Sequence, residues 1–314
     1  MTAQTGESQS ARALPGRELA ARIRAGVAAQ AAELSTAGRQ PRLAVVTATD
    51  DEASAAYVRS IANAATREGI ACDVLRTTTA NGITATLAQL GDDPEVHAVM
   101  LQTPLPDGAL LADLARAIPP AKDVDGASPE SLGRLVAGLP TFAPATAEAV
   151  LALLDHYRVE LLGRHAVVVG RSVVVGKPVA HLLLDRHATV TICHSRTADL
   201  PAITRQADVL VAAAGRAGLI GPGHVSPGTI VIDVGTNATP GGLACHVDRP
   251  SPRSRPTSRR RRRPGRHGAA APPDGRGDGG SRLRQARSRG NVRARLSLSF
   301  IPDVSGRLCT LNRQ

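Results

Sequence analysis

Tyr57, Gln102 and Asp125 bring an aromatic ring, an amide and a carboxylate to three places where an α/β chain tends to expose side chains. Tyr57 follows the polar run DDEAS (50–54), whose Asp and Ser are N-cap candidates for a helix predicted over 55–68 and ended by Gly69. Gln102 closes a predicted strand, 98–102, just before Thr103-Pro104-Leu105-Pro106. The carboxyl end of such a strand faces the ligand crevice. Asp125 lies in the charged turn KDVDG (122–126), after Pro119-Pro120. Taken singly each is ordinary, since a helical Tyr is more often a half-buried packing residue.

A fourth feature carries a more definite chemistry. The segment GRSVVVG (170–176) follows an apolar stretch, HAVVV, and opens a predicted helix, 177–185. Gly170 and Gly176 let the backbone turn sharply and approach a phosphate, and the helix N-terminus supplies free N–H groups. The spacing is not G-x-G-x-x-G, so a plain strand-to-helix turn stays open. The next strand, 189–193, runs into His194-Ser195-Arg196-Thr197 with no acid before Asp199. An acid at that strand end suits a free ribose, whereas hydroxyl and basic groups suit a 2′-phosphate. With Arg171 at the neighbouring strand end, the pattern points to NADP rather than NAD.

The elements that must hold these residues alternate β and α. An amphipathic helix is predicted over 14–34, then strands at 41–47 and 72–75, a helix at 81–90, the strand ending in Gln102 and a helix at 110–118 stopped by Pro119. A connecting helix, 146–157, precedes strands at 165–169, 189–193, 209–213 and 229–234. Alternation of this kind gives parallel sheets, so the expectation is an α/β fold of two domains, the second Rossmann-like. The boundaries drawn are 1–146, 147–248 and a tail, 249–314.

Charge divides the chain the same way. The net charge is +11, yet residues 249–314 hold 18 Arg against 3 Asp, so the remainder is mildly acidic. No run of about 18 apolar residues occurs, and no transmembrane helix is expected. Cys72, Cys193, Cys245 and Cys309 are widely spaced, which argues against a disulfide framework or a zinc site. A reducing cytoplasm is the expected compartment.

In this order the segments DDEASAAYV, QTPLP, KDVDG, GRSVVVGKP, ATVTICHSRT and VIDVGTN resemble the bifunctional methylenetetrahydrofolate dehydrogenase/methenyltetrahydrofolate cyclohydrolase family, over residues 14–248. The resemblance implies an N-terminal folate domain and an NADP-binding domain. It implies that Tyr57 stacks on the pterin, that Gln102 and Pro104 belong to the substrate pocket, and that Asp125 binds the polar pterin edge. A carboxylate suits an edge that presents paired donors. It further implies cofactor contacts from Gly170, Arg171, Ser172, Gly176, Ser195, Arg196 and Thr236. Hydride would pass from the methylene carbon to the nicotinamide, in one-carbon metabolism that feeds purine biosynthesis. A homodimer closing on the second domain is implied as well.

The chain departs from the family at one chemically costly place. The family's catalytic Lys, one helical turn after the Tyr, is Ile61 here. An ammonium can polarise the one-carbon centre for water attack and isoleucine cannot, so a dehydrogenase with weak or absent cyclohydrolase activity is expected. Thr49 replaces a Gly, Ser128-Pro129 and Ser131 replace His-Pro and Asn, and Pro144-Ala145-Thr146-Ala147 stands for Pro-Cys-Thr-Pro. Drift of this extent also leaves room for a weakly active folate- or nucleotide-binding relative.

The tail is the second departure. Where the family has Pro-Gly-Gly-Val-Gly-Pro-Met-Thr and a returning helix, this chain reads Arg260-Arg261-Arg262-Arg263-Pro264-Gly265-Arg266-His267. Arginine codons carry G in second position, and a one-base shift can turn such a run into Gly-Gly-Val-Gly. The favoured reading is a frameshift after Asp248. The rival is a disordered basic arm, which would bind nucleic acid through phosphate contacts.

Overall fold

The computed structural model describes residues 15–49, 51–234, 237–239 and 242–244. The expectations placed on Thr236 and on residues 249–314 lie outside them.

The first unit runs α1 (Arg17–Thr36), β1 (Arg42–Thr47), α2 (Glu52–Arg67), β2 (Ala71–Arg76), α3 (Ala80–Asp92), β3 (Ala98–Leu101), α4 (Leu111–Leu114) and α5 (Pro129–Val136). Its three strands are parallel, in the order β2-β1-β3. β1 is central, so its residues from Leu43 to Thr47 are all buried. The two sheet faces carry separate cores. α1 and α2 cover one with Val27, Ala31, Val58, Ile61 and Ala65, against Leu43, Val45 and Met100. α3 and the 111–118 region cover the other with Ile83, Leu87 and Leu114.

α2 begins where the DDEAS run foresaw a cap, with the Asp51 carboxylate accepting from Ser54 N–H at 3.2 Å. The helix predicted at 110–118 is interrupted: α4 has four residues and gives way to a 3-10 turn, Ala115–Ala117. Ile118 is extended (φ −91°, ψ 118°), as the clash with a following proline requires. α5 had no counterpart in the periodicity. Ser128 caps it, its Oγ accepting from Ser131 N–H at 3.1 Å with Pro129 in the first turn, so the Ser residues standing for the family's His and Asn form a cap of their own.

α6 (Ala145–His156) leads into the second unit: β4 (His165–Val169), α7 (Gly176–Leu184), β5 (Thr189–Cys193), α8 (Leu200–Thr204), β6 (Val209–Ala212) and β7 (Ile230–Asp233), then the short pair β8 (Asn237–Thr239) and β9 (Gly242–Ala244). The sheet is parallel, ordered β5-β4-β6-β7. The units are tied together by α1, whose Leu19 packs on the second core, and by Tyr157, whose hydroxyl donates to Pro15 O at 2.9 Å. Among the described residues no helix is long and apolar enough to cross a membrane.

Both sheets reverse direction at a central strand, β1 in the first and β4 in the second. A crevice opens outside the carboxyl ends of the strands at such a point, because the flanking connections leave on opposite faces.

Candidate active site

One cavity of about 440 Å³ lies where β3 ends, against the loop before α7. Tyr57, Gln102 and Asp125 all line it, so three residues up to 68 positions apart in sequence meet in one space. Tyr57 presents its ring from α2 and is 41% exposed. Gln102 follows the last residue of β3, and its N–H donates to Val46 O at 2.8 Å, which fixes where its side chain starts. Pro104 is not among the lining residues; its cis peptide with Thr103 turns the chain at the cavity's edge, and Thr103 itself lines it. Met100, Leu101, Leu111, Val124, Ala145, Thr146 and Val173 to Val175 complete the described wall.

The KDVDG turn divides its labour residue by residue. Lys122 Nζ donates to Leu90 O at 3.1 Å and to Asp93 O at 2.6 Å, which satisfies carbonyls at the end of α3. Asp123 is fully buried and accepts from the N–H groups of Ala127 and Ser128 at 3.1 and 2.9 Å, which folds the turn. Gly126 has φ +57°, and a Cβ there would stand 2.6 Å from Phe142 O, so the turn needs a glycine. What remains is Asp125, aimed at the cavity. Burial, and then the charge of Asp123, push its carboxyl up from 3.8 to about 7.

Ile61 does not line this cavity. It is fully buried and packs in the same core as Met100 and Val124, both of which form the cavity wall. The chain has only two lysines, Lys122 and Lys177. Lys122 is held by α3, Lys177 lies in the first turn of α7, and among the described residues no Lys or Arg lines the cavity.

A second cavity, about 630 Å³, occupies the carboxyl ends of β4, β5 and β6. Gly170, Arg171, Ser172 and Ser195, the expected cofactor contacts, are among its lining residues. Gly176 and Arg196 do not. Gly176 serves close packing, since a Cβ there would lie 2.3 Å from Gly170 O. A Cβ on Gly170, at φ +142°, would lie 2.2 Å from Ala213 O. Arg196 is exposed, and its backbone N–H donates to His194 Nδ1 at 3.1 Å. Ser172 Oγ accepts from Val175 and Gly176 N–H, at 3.2 and 3.3 Å, so it also shapes the loop.

Sequence reasoning missed Arg216 and His194 as lining residues. Arg216 could have been found, because it sits in the loop just past the carboxyl end of β6. The residues present fit a phosphorylated dinucleotide. The volume lies within the range of about 300–1,000 Å³ usual for cofactor sites. Two guanidinium groups, Arg171 and Arg216, line the cavity, with no carboxylate among the described lining residues. The first acid after β5, Asp199, is occupied in capping α8 through Ala202 N–H at 3.2 Å.

Known proteins bear on both cavities. Residues 14–125 match the tetrahydrofolate dehydrogenase/cyclohydrolase catalytic domain, and 144–250 match the NAD(P)-binding domain of the same family. Bifunctional protein FolD 1 of Saccharopolyspora erythraea is 58% identical over 254 residues, covering 80% of this chain and 87% of the relative. Bifunctional protein FolD 1 of Rhodococcus jostii is 59% identical over 234 residues, covering 74% and 79%. Among solved structures, the Campylobacter jejuni bifunctional FolD enzyme superposes with a TM-score of 0.73 at 38% identity, covering 75% of this chain and 85% of that one. The Trypanosoma brucei FolD, solved with NADP cofactor and inhibitor, gives 0.71 at 32% identity, covering 76% and 86%. The chain belongs to the tetrahydrofolate dehydrogenase/cyclohydrolase family.

Proposed function

We propose that this protein oxidises 5,10-methylenetetrahydrofolate to the 5,10-methenyl form with NADP, and that it has lost most of the family's second step, hydrolysis of the methenyl ring. The chain is an enzyme of tetrahydrofolate-borne one-carbon metabolism, and NADP is its cofactor. When bound, NADP supplies the hydride acceptor.

The protein's own part is placement. Tyr57 offers the pterin a flat apolar face, and Asp125 offers its polar edge an acceptor pair. Gln102 stands at the strand end between them and the cofactor-domain loop. Arg171, with Ser172 and Ser195, presents the donors that a 2′-phosphate needs. Dehydrogenation asks for alignment and exclusion of water, and these groups supply both. Hydrolysis asks in addition for a cation or proton source beside the one-carbon centre.

The observation that carries the split is Ile61, buried in one core with the cavity-wall residues Met100 and Val124, in a chain whose two lysines are both elsewhere. The experiment follows the methenyl product by its absorbance. The wild-type chain is expected to accumulate it, and Ile61→Lys to shorten its lifetime while NADP reduction persists. Hydrolysis by the wild type as fast as its own oxidation step would sink the proposal.

The same reading places the enzyme in the cytoplasm, in supply of one-carbon units for purine biosynthesis, and as a homodimer through the second domain. Support for the dimer is β5, an edge strand among the described residues, where Ile192 is 41% exposed, with Leu184 exposed at the end of the preceding α7. Its solution mass should be twice that of the chain; a monomer at micromolar concentration overturns it. For residues 249–314, past the family match at residue 250, a frameshift is the proposed origin. The gene's nucleotide sequence decides it: no shifted frame encoding the missing loop means the idea fails, and nucleic-acid binding lost at high salt would favour the basic arm.

A further inference from the structure

The loop from β4 to α7 serves both cavities. Arg171 and Ser172 line the cofactor cavity, and Val173 and Val174 line the folate cavity. Val175 lines both, and among the described residues it is the only one that does.

Val175 is also held through both its backbone groups and by one core. Its N–H donates to Ser172 Oγ at 3.2 Å, and its carbonyl accepts from Val179 N–H at 2.9 Å, the first turn of α7. The side chain rests against the core beneath β4 and α7. Branching at Cβ leaves few rotamers open. The result is a stiff apolar partition with one face to each ligand space.

We propose that Val175 is a positioning residue: it sets the separation between the one-carbon centre and the nicotinamide, and it carries the coupling between binding in the two cavities. This rests on the dehydrogenase reading above. Transfer needs the reacting atoms about 3–3.5 Å apart, and a displacement of about 1 Å can cost roughly a hundredfold in rate. A ligand that orders the partition from one side spares the second ligand part of that ordering, so each should bind more tightly when the other is present. Both effects need a side chain of valine's shape and neither needs its chemistry.

The test uses the full chain and a pair of ligands that cannot react: NADP+ and tetrahydrofolate lacking the one-carbon unit. Calorimetric titration of NADP+ should give a dissociation constant about fivefold lower when saturating tetrahydrofolate is present. In Val175→Ala that ratio should fall to within about twofold of unity, with the affinity for each ligand alone little changed. Its kcat should fall about tenfold at unaltered KM, and the deuterium isotope effect at the methylene carbon should rise as hydride transfer becomes limiting. Val175→Thr, which keeps the branched shape, should recover most of the ratio and of kcat relative to Val175→Ala. The inference is overturned if Val175→Ala retains the full ratio, or if both variants weaken each ligand alone in parallel, the mark of a merely structural role. A wild-type chain that binds both ligands with coupling but does not reduce NADP+ on methylenetetrahydrofolate would refute the functional reading instead.

Discussion

The cofactor cavity is contiguous in the sense that one unit builds it, from the ends of neighbouring strands: Val169 to Ser172 at the end of β4, His194 and Ser195 after β5, and Ala213 to Arg216 after β6. The folate cavity is dispersed over both units. Tyr57 comes from α2, Gln102 from the end of β3, Asp125 from a turn pinned to α3, and Thr146 from α6. A contiguous site tolerates drift elsewhere in the chain, because its geometry is local. A dispersed site depends on every element that delivers a residue to it. Of the departures from the family pattern, Ala145 lines the dispersed site, Ile61 shares a core with its wall residues Met100 and Val124, and Ser128 and Ser131 form the cap of the helix that follows the KDVDG turn, while GRSVVVGKP is intact. The dispersed cavity should therefore be the one that a single change breaks most completely.

Asp125 gives the largest expected effect. Asn keeps its shape but puts a donor where a paired acceptor stood. Asp125→Asn should lower kcat/KM for the folate roughly a hundredfold, with NADP+ affinity unchanged. The elevated carboxyl adds a pH signature. Edge recognition uses the ionised form, and the proton is held up to about pH 7. The wild-type kcat/KM for folate should rise with pH through about 7, and the Asn variant should lose that rise. Stability runs the other way. The folded state binds this proton more tightly than the unfolded chain, whose value is near 3.8, so stability declines as pH climbs from there to about 7. A flat folate profile in the wild type would show that Asp125 does not titrate in the site.

The sequence made the contiguous region more legible than the dispersed one. β4 and β5 occupy the residues expected, 165–169 and 189–193, because fully apolar or β-branched runs bounded by turn residues have few other uses. α5 and α8 were not foreseen: helices of eight and five residues carry too little periodicity to see, and each is defined by a side-chain cap, Ser128 or Asp199. In the site, the trio was readable through motif order. The work of Lys122 and Asp123 was not, since both act on backbone far away or out of view of the pattern. Ile61 was readable as a missing lysine, but its place in the core shared with the cavity wall needed the packing of α2 against Met100. Val175 shows the same limit: adjacency to two cavities is a property of the assembled domains.

Within the contiguous cavity, its two arginines allow a finer cut. Arg171 leaves the end of β4 on the loop that faces Ser195 at the end of β5, the side where a Rossmann sheet meets the adenosine ribose. Arg216 comes from the loop after β6, on the opposite side of β4. On the proposed reading the first reads the 2′-phosphate and the second meets groups common to NADP and NAD. Arg171→Ala should raise KM for NADP+ about tenfold and leave the NAD+ reaction nearly untouched; 2′,5′-ADP should lose affinity while 5′-AMP does not. Arg216→Ala should raise KM for both cofactors by the same factor, about threefold, since an exposed guanidinium is screened by solvent and salt. Equal discrimination lost in both variants would mean that the two guanidinium groups converge on one phosphate, and the division of the cavity into two sides would be wrong.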